Sequence, residues 1–448
     1  MTAISRRSLL LGAASSALLL AAGCGSDDDA GSGAGAGAPK GSDADIQAAL
    51  DAGGTITVWA WEPTLKQVVT DFQAKYPKVK VNLVNAGTGD KQYTALQNAI
   101  KAGSGVPDVT QIEYYALPQF ALAKSLTDLG GFGSAKLDGT FTPGPWNAVH
   151  AGGALYGLPM DSGPMALFYN KEVFDKHGVA VPATWDDFYA AAQKLHAADP
   201  KVYITSDTGD AGFTTSMIWQ AGGRPYKVDG TTVGIDFADA GTKKFTALWQ
   251  KLIDGKLLSP VNGWSDGWYK GLGDGTIASL IIGAWMPANL ESGVKAADGK
   301  WRVAPMPQWE AGGKVTAENG GSSLALPTAG GNKNLAWAFT KYATVDAGAQ
   351  SRADNGAFPA TIAQLNTPAF RDKELSYFGG QKVNQVLADA ATQVATGWSY
   401  LPFQVYANSI FGDTAGKAYV SATPLQDALK AWQDASLKYG KDQGFTVK

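Results

Sequence analysis

Between residues 55 and 112 the apolar positions alternate between two rhythms. Residues 55–60 (TITVWA) are β-branched and aromatic, the composition of a strand. Leu65, Val68, Val69, Phe72 and Tyr76 then recur at i, i+3, i+4, i+7 and i+11, one face of a helix that Pro77 ends. Val79, Val81 and Leu83 alternate as a second strand. Residues 87–91 form a loop, 92–101 a second helix, and 109–112 a third strand. Strand, helix, strand, helix, strand predicts a parallel sheet flanked by helices.

A second unit of the same kind starts in mid-chain. Residues 155–159 are apolar and end at a proline, which disfavours helix just before it. Residues 165–169 (MALFY) are almost wholly apolar, as a strand buried on both faces requires. Asn170 opens a helix that stops near Gly178. Thr184 caps the next, with Asp187 at the capping-box position, which makes the Asp186-Asp187 pair structural. Strands are predicted at 202–204, 276–282, 301–304 and 322–326, and helices at 214–220, 240–253 and 334–343. From Gln381 on the chain reads as helical, with a start at Thr423-Pro424. Residues 271–275 read as a glycine-rich turn. The fold class is α/β in two halves, with Asp161 where they meet.

Composition narrows the chemistry. The chain has 448 residues, 45% hydrophobic and 17% charged, with net charge −3. That balance gives no electrostatic case for nucleic acid. One cysteine excludes an internal disulfide, and three scattered histidines argue against a zinc site. No cofactor is expected. The 14 tryptophans exceed what core packing needs, so some are available to a binding surface.

In an open α/β sheet, ligands bind beyond the carboxyl ends of the strands. The rule selects Trp61 and Glu62 after the first strand, the loop 87–91 with Lys91 after the second, and Glu113, Tyr114 and Tyr115 after the third. Rings and carboxylates of this kind suit a sugar, whose apolar face lies on aromatics and whose hydroxyls seek acceptors. Asp161 at the junction joins them. In the second half the candidates are Trp219 on its short helix and Trp268 in the polar-aromatic cluster 263–269.

The N-terminus reads as an address. Paired Arg6-Arg7, an apolar run to Ala22 and then Gly23-Cys24 compose an export signal over residues 1–23, too short to span a membrane. The arginine pair resembles a twin-arginine signal, and Ala21-Ala22-Gly23-Cys24 resembles a bacterial lipobox with Cys24 as the lipidated residue. Residues 24–52 are expected to be a flexible tether.

Three stretches carry a family resemblance: LYGLP from Leu155, ALFYNKEVFDKHGV from Ala166 and PATWDDF from Pro182. They resemble extracellular solute-binding proteins of ABC importers, family 1, in the sugar-binding branch typified by maltose-binding proteins. The resemblance implies a two-lobe type II fold with discontinuous lobes and a hinge. One lobe would hold 53–160 and 305–375, the other 161–304 and 376–448. It implies a sugar-stacking role for Trp285 after the IIGAWM run, a cleft-facing loop at Arg352 and a GG-strand carrying Gly321. Tyr400, just before the last helices, is a further candidate to reach the cleft from the second lobe. It also implies a mono- or oligosaccharide ligand, an ABC permease partner, a monomer, and contact with the membrane through the lipid alone.

Three rival chemistries have candidate residues in the chain. Asp161-Ser162-Gly163 and Asp207-Thr208-Gly209 match the aspartic-protease triplet, but in α/β rather than β-rich settings. Asp207 fails as a calcium loop because Ile218 stands where the closing glutamate belongs. A secreted glycoside hydrolase would pair carboxylates about 5–10 Å apart, with Glu62, Glu113 and Asp161 as nominees. A non-sugar polar solute is the remaining alternative.

Overall fold

The computed structural model describes residues 41–448. The export signal, Cys24 and the first part of the expected tether lie outside the described residues. The tether expectation fails from Ser42 onward. Residues Asp43–Ala52 form a helix in which Ser42 and Asp45 complete a capping box. Leu50 is buried, and Ile46 and Ala49 pack on the core beside the helix Lys333–Thr344. Three apolar residues at helical spacing suffice here because a neighbouring helix covers them.

The first lobe is built on one five-stranded sheet. Its order is 79–84, 54–59, 109–113, 322–325, 157–159. The first three strands are parallel; Ser322–Ala325 runs antiparallel to both of its neighbours. Helices Leu65–Lys75 and Asp90–Ala102 follow the first two strands as the periodicity predicts. The second lobe centres on Met165–Asn170, flanked antiparallel by Ser279–Gly283 and Trp301–Ala304. Its burial on both faces is as expected, but its partners are antiparallel.

Three expectations need correction. The strand at 202–204 is reduced to one parallel bridge, Tyr203 with Ile277, and the ladder beside it is Thr205–Ser206 with Leu258–Ser259. The turn at 271–275 is the end of a helix, Asp266–Asp274, capped by Ser265 and closed by Gly275 at φ +85°. The chain beyond Gln381 is helical only in pieces, because Gly397 (φ +73°) and Pro402 lie between Val383–Ala391 and Gln404–Ser409.

Hydrogen bonds and packing show which lobe the later segments touch. Residues 305–318 stay with the second lobe: Gln308 exchanges backbone bonds with Ala183 and Trp185, and Thr316 with Gln393 and Ala395. After these residues the chain returns to the first-lobe sheet as Ser322–Ala325. Phe358, Leu365 and Phe370 pack with the second-lobe cluster. Residues 360–362 meanwhile stay hydrogen-bonded to residues 140–142 of the first lobe, so this stretch touches both lobes. Two bridges knit the crossings together, Pro164 with Glu318 and Asp161 with Pro359.

Candidate functional site

A cavity of about 590 Å³ opens between the lobes beside these crossings. That is within the usual range for small-molecule sites, about 300–1,000 Å³. One wall is aromatic. Trp264, Trp268 and Trp285 line it, with Trp264 5.0 Å from Trp268 and 5.6 Å from Trp285 between ring centres. Trp285 is pinned by its indole N–H, which donates to the Asn319 carbonyl at 2.8 Å. Trp264 is the exposed member, 51% accessible, on backbone at φ +65°.

The facing surface is polar. Glu113 and Tyr115 reach in from the end of the third strand; Asp207, Asp210 and Ser216 come from the second lobe, with Gln404 and Asn408 from the helix Gln404–Ser409. The Tyr93 hydroxyl donates to Glu113 at 2.9 Å, and burial pushes the Glu113 carboxyl up to about 7. Asp207 accepts from the Trp249 indole at 2.7 Å, the Tyr419 hydroxyl at 2.9 Å and Gly209 N–H at 2.9 Å; burial raises it to about 6. Asp210 caps the helix Ala211–Gln220 through Phe213 N–H at 2.6 Å.

Gly320 and Gly321 form the floor. Both sit at positive φ, +79° and +97°, and a Cβ on Gly321 would stand 2.5 Å from the Tyr114 ring. Only glycine lets the crossing pass under the cavity there.

Five expected residues line this cavity: Glu113, Trp268, Trp285, Gly321 and Tyr400. Seven do not, and their surroundings explain why. Trp61 packs edge-on against Tyr93 while Gln111 accepts from its backbone N–H and that of Glu62. Glu62 pairs with Arg352 at 3.6 Å, and Arg352, only 2% exposed, also donates to the Met160 carbonyl. Tyr114 is buried and donates to the Asp161 carbonyl at 2.6 Å; the Asp161 carboxylate accepts from Ser322 N–H at 2.6 Å. Trp61 thus stays within the first lobe, while Glu62, Tyr114, Asp161 and Arg352 are struts between the crossings. Lys91 is exposed on its helix. Trp219 lies in a helix buried nearly all round and stacks on Trp398 at 4.2 Å; both pack edge-to-face on Tyr400 and so support it from behind.

Sequence reasoning missed Asp207, Asp210, Trp264 and Asn319, while Tyr115, which the strand-end rule does reach, lines the cavity beside Glu113. The strand-end rule that found Glu113 also points to Asp207, directly after Thr205–Ser206, once that short strand is placed. Trp264 shares a cluster with Trp268, and its positive φ is invisible in the residue type. No group of His, Cys, Asp and Glu fit to hold a metal occurs among the described residues, and none of their helices is long and apolar enough to cross a membrane.

Comparison with known proteins agrees with this architecture. A lactose-binding protein of Rhizobium radiobacter is 27% identical over 408 residues, 85% of this chain and 92% of its own length. The ABC transporter associated binding protein from B. animalis subsp. lactis Bl-04, solved with beta-1,6-galactobiose, is 49% identical at TM-score 0.79, covering 88% of this chain and 99% of that one. The galacto-N-biose-/lacto-N-biose I-binding protein of Bifidobacterium longum, solved with lacto-N-biose, is 26% identical at TM-score 0.77, covering 89% and 99%. The fold is the two-lobe one expected, shared with binding proteins of ABC transporters. The profile of bacterial extracellular solute-binding proteins matches residues 59–350, and this chain belongs to that family.

Proposed function

We propose that the chain captures a short β-galactoside, of the β-1,6-galactobiose kind, and hands it to an ABC importer. The observation that carries this reading is the composition of the cavity: a tryptophan wall from the second lobe faces carboxylates and amides from both lobes. A pyranose presents those two surfaces, one apolar face and a rim of hydroxyls. The 49% identity to a protein solved with beta-1,6-galactobiose supports the galactoside class.

In this reading the sugar stacks on Trp264 and Trp285, and Glu113, Asp207 and Asp210 accept its hydroxyl hydrogens. Because Glu113 and Gly321 belong to one lobe and Trp285 and Asp207 to the other, a ligand touching both favours a closed arrangement. The three crossings supply the hinge. The N-terminal segment directs export, and a lipid on Cys24 holds the monomer at the outer face of the membrane beside its permease. The hydrolase alternative loses support, since Glu62 and Asp161 are engaged in the hinge and do not flank the cavity with Glu113.

The test is intrinsic tryptophan fluorescence of the mature protein titrated with β-1,6-galactobiose, lactose, lacto-N-biose and maltose, each mixture then resolved by chromatography. The expected result is a saturable shift with galactosides, the sugar recovered intact. Conversion to monosaccharides would make the protein a hydrolase, and silence with every sugar would remove the carbohydrate reading.

A further inference from the structure

The charge of the cleft is one-sided. Three carboxylates line it, Glu113 from the first lobe and Asp207 and Asp210 from the second, and no Lys, Arg or His among the described residues does. None of the three belongs to a salt bridge. Asp207 is held by three neutral donors, from Trp249, Tyr419 and Gly209, with Asp210 as its charged neighbour. Glu113 faces Tyr93 and Tyr115, with Asp90 and Asp161 as the charged groups nearby. The one buried arginine of the hinge, Arg352, is turned to Glu62, the Met160 carbonyl and Asp161. The N-terminus of the helix Ala211–Gln220, which would attract an anion, already carries the Asp210 carboxylate.

We propose that the cleft selects by charge: it admits neutral and cationic saccharides and rejects those bearing a carboxylate, sulfate or phosphate. The inference rests on the sugar reading above and sharpens it. A neutral sugar gives hydroxyl hydrogens to these carboxylates. An anionic one loses its hydration in a partly enclosed site and meets like charge with no cation to offset it. A protonated amino sugar gains what the anion loses.

Two matched pairs isolate charge from shape. β-1,6-Galactobiose oxidised to the uronate at C6 of its non-reducing ring is compared with the uronamide, and the aldonate at the reducing end with the aldonamide. Affinities are measured by calorimetry at pH 8 and pH 5. In each pair the amide is expected to bind at least about 100-fold more tightly than the acid at pH 8, the scale of two charge contacts at close range. At pH 5 the ratio falls about tenfold or more. The ligand acid, with a pKa near 3.5, stays ionised, while Glu113 at about 7 and Asp207 at about 6 take up protons. Equal affinity within a pair overturns the charge filter. Amides that fail alongside the acids also overturn it, since shape would then set the limit. A ratio that ignores pH overturns its assignment to these carboxylates. Failure of unmodified β-1,6-galactobiose to bind overturns the sugar reading itself, a separate result.

Discussion

Trp264 carries its indole on a backbone conformation that suits glycine, at φ +65°. A bulky residue there costs of order 1–3 kcal/mol, so the ring is held at the cavity mouth against a local preference. Replacing it by glycine relieves that strain and removes the stacking surface together. Trp264→Gly should therefore melt within about 2 °C of the parent, because relief and added chain entropy offset each other. The same variant should bind β-1,6-galactobiose roughly 30-fold more weakly, the scale of about 2 kcal/mol for an apolar ring face. Trp285→Ala should lose a similar factor. Trp219→Ala is the contrast: its ring is buried on Trp398, so about 3–5 kcal/mol of stability goes. Denaturant melts and fluorescence titration separate the outcomes, and a Trp264→Gly protein that binds normally would dismiss the ring as a platform. Residue type alone does not sort these tryptophans. Trp219 and Trp285 both sit beside apolar runs, and only the packing of their helices sends one to the core and the other to the cleft.

Elements were legible where apolar spacing is long and regular. The helix Leu65–Lys75 and the strands 54–59, 79–84 and 109–113 follow from periodicity because each buries one complete face. The helix Asp43–Ala52 was not legible, since it offers a single buried leucine and depends on a partner far along the chain, Lys333–Thr344. Its capping box still carries a share of its stability. Ser42→Ala removes the oxygen that accepts from Asp45 N–H at 3.2 Å, as well as the hydroxyl that donates to the Asp45 carboxylate at 2.7 Å. A loss of about 1 kcal/mol is expected. Hydrogen exchange should show faster opening confined to residues 43–52, with ligand affinity untouched. Protection that stays the same would mean tertiary packing alone holds the helix. Prolines at 305 and 307 interrupt the strand pattern, yet beyond them Gln308 bonds to Ala183 and Thr316 to Gln393, partners that no local spacing announces.

Across the whole molecule, buried carboxylates gather where the lobes meet. Glu318 lies fully buried on the return crossing, accepting from Gly163 N–H at 2.5 Å and the Ser162 hydroxyl at 3.0 Å. Its second oxygen has no hydrogen-bond partner. Burial raises it to about 8, and it raises Asp161 to about 6 and Glu113 to about 7. Arg352 opposes this for Asp161 alone. Each folded-state pKa lies above the ordinary carboxylate value, so the unfolded chain gives up these protons first. The stability they confer is complete below about pH 4 and is lost as pH rises through 6 to 8. Unfolding free energy should therefore fall steadily from pH 5 to pH 8.5, by urea melts at fixed ionic strength. Glu318→Gln tests the largest contributor, keeping an acceptor for Ser162 and Gly163 while removing the titration. At pH 5 the variant should match the parent, whose Glu318 is protonated there. At pH 8.5 it should be more stable by roughly 4 kcal/mol, with a flatter pH profile. Parallel profiles would mean that Glu318 reaches water when it ionises, through an opening of the hinge at the Gly163 contact.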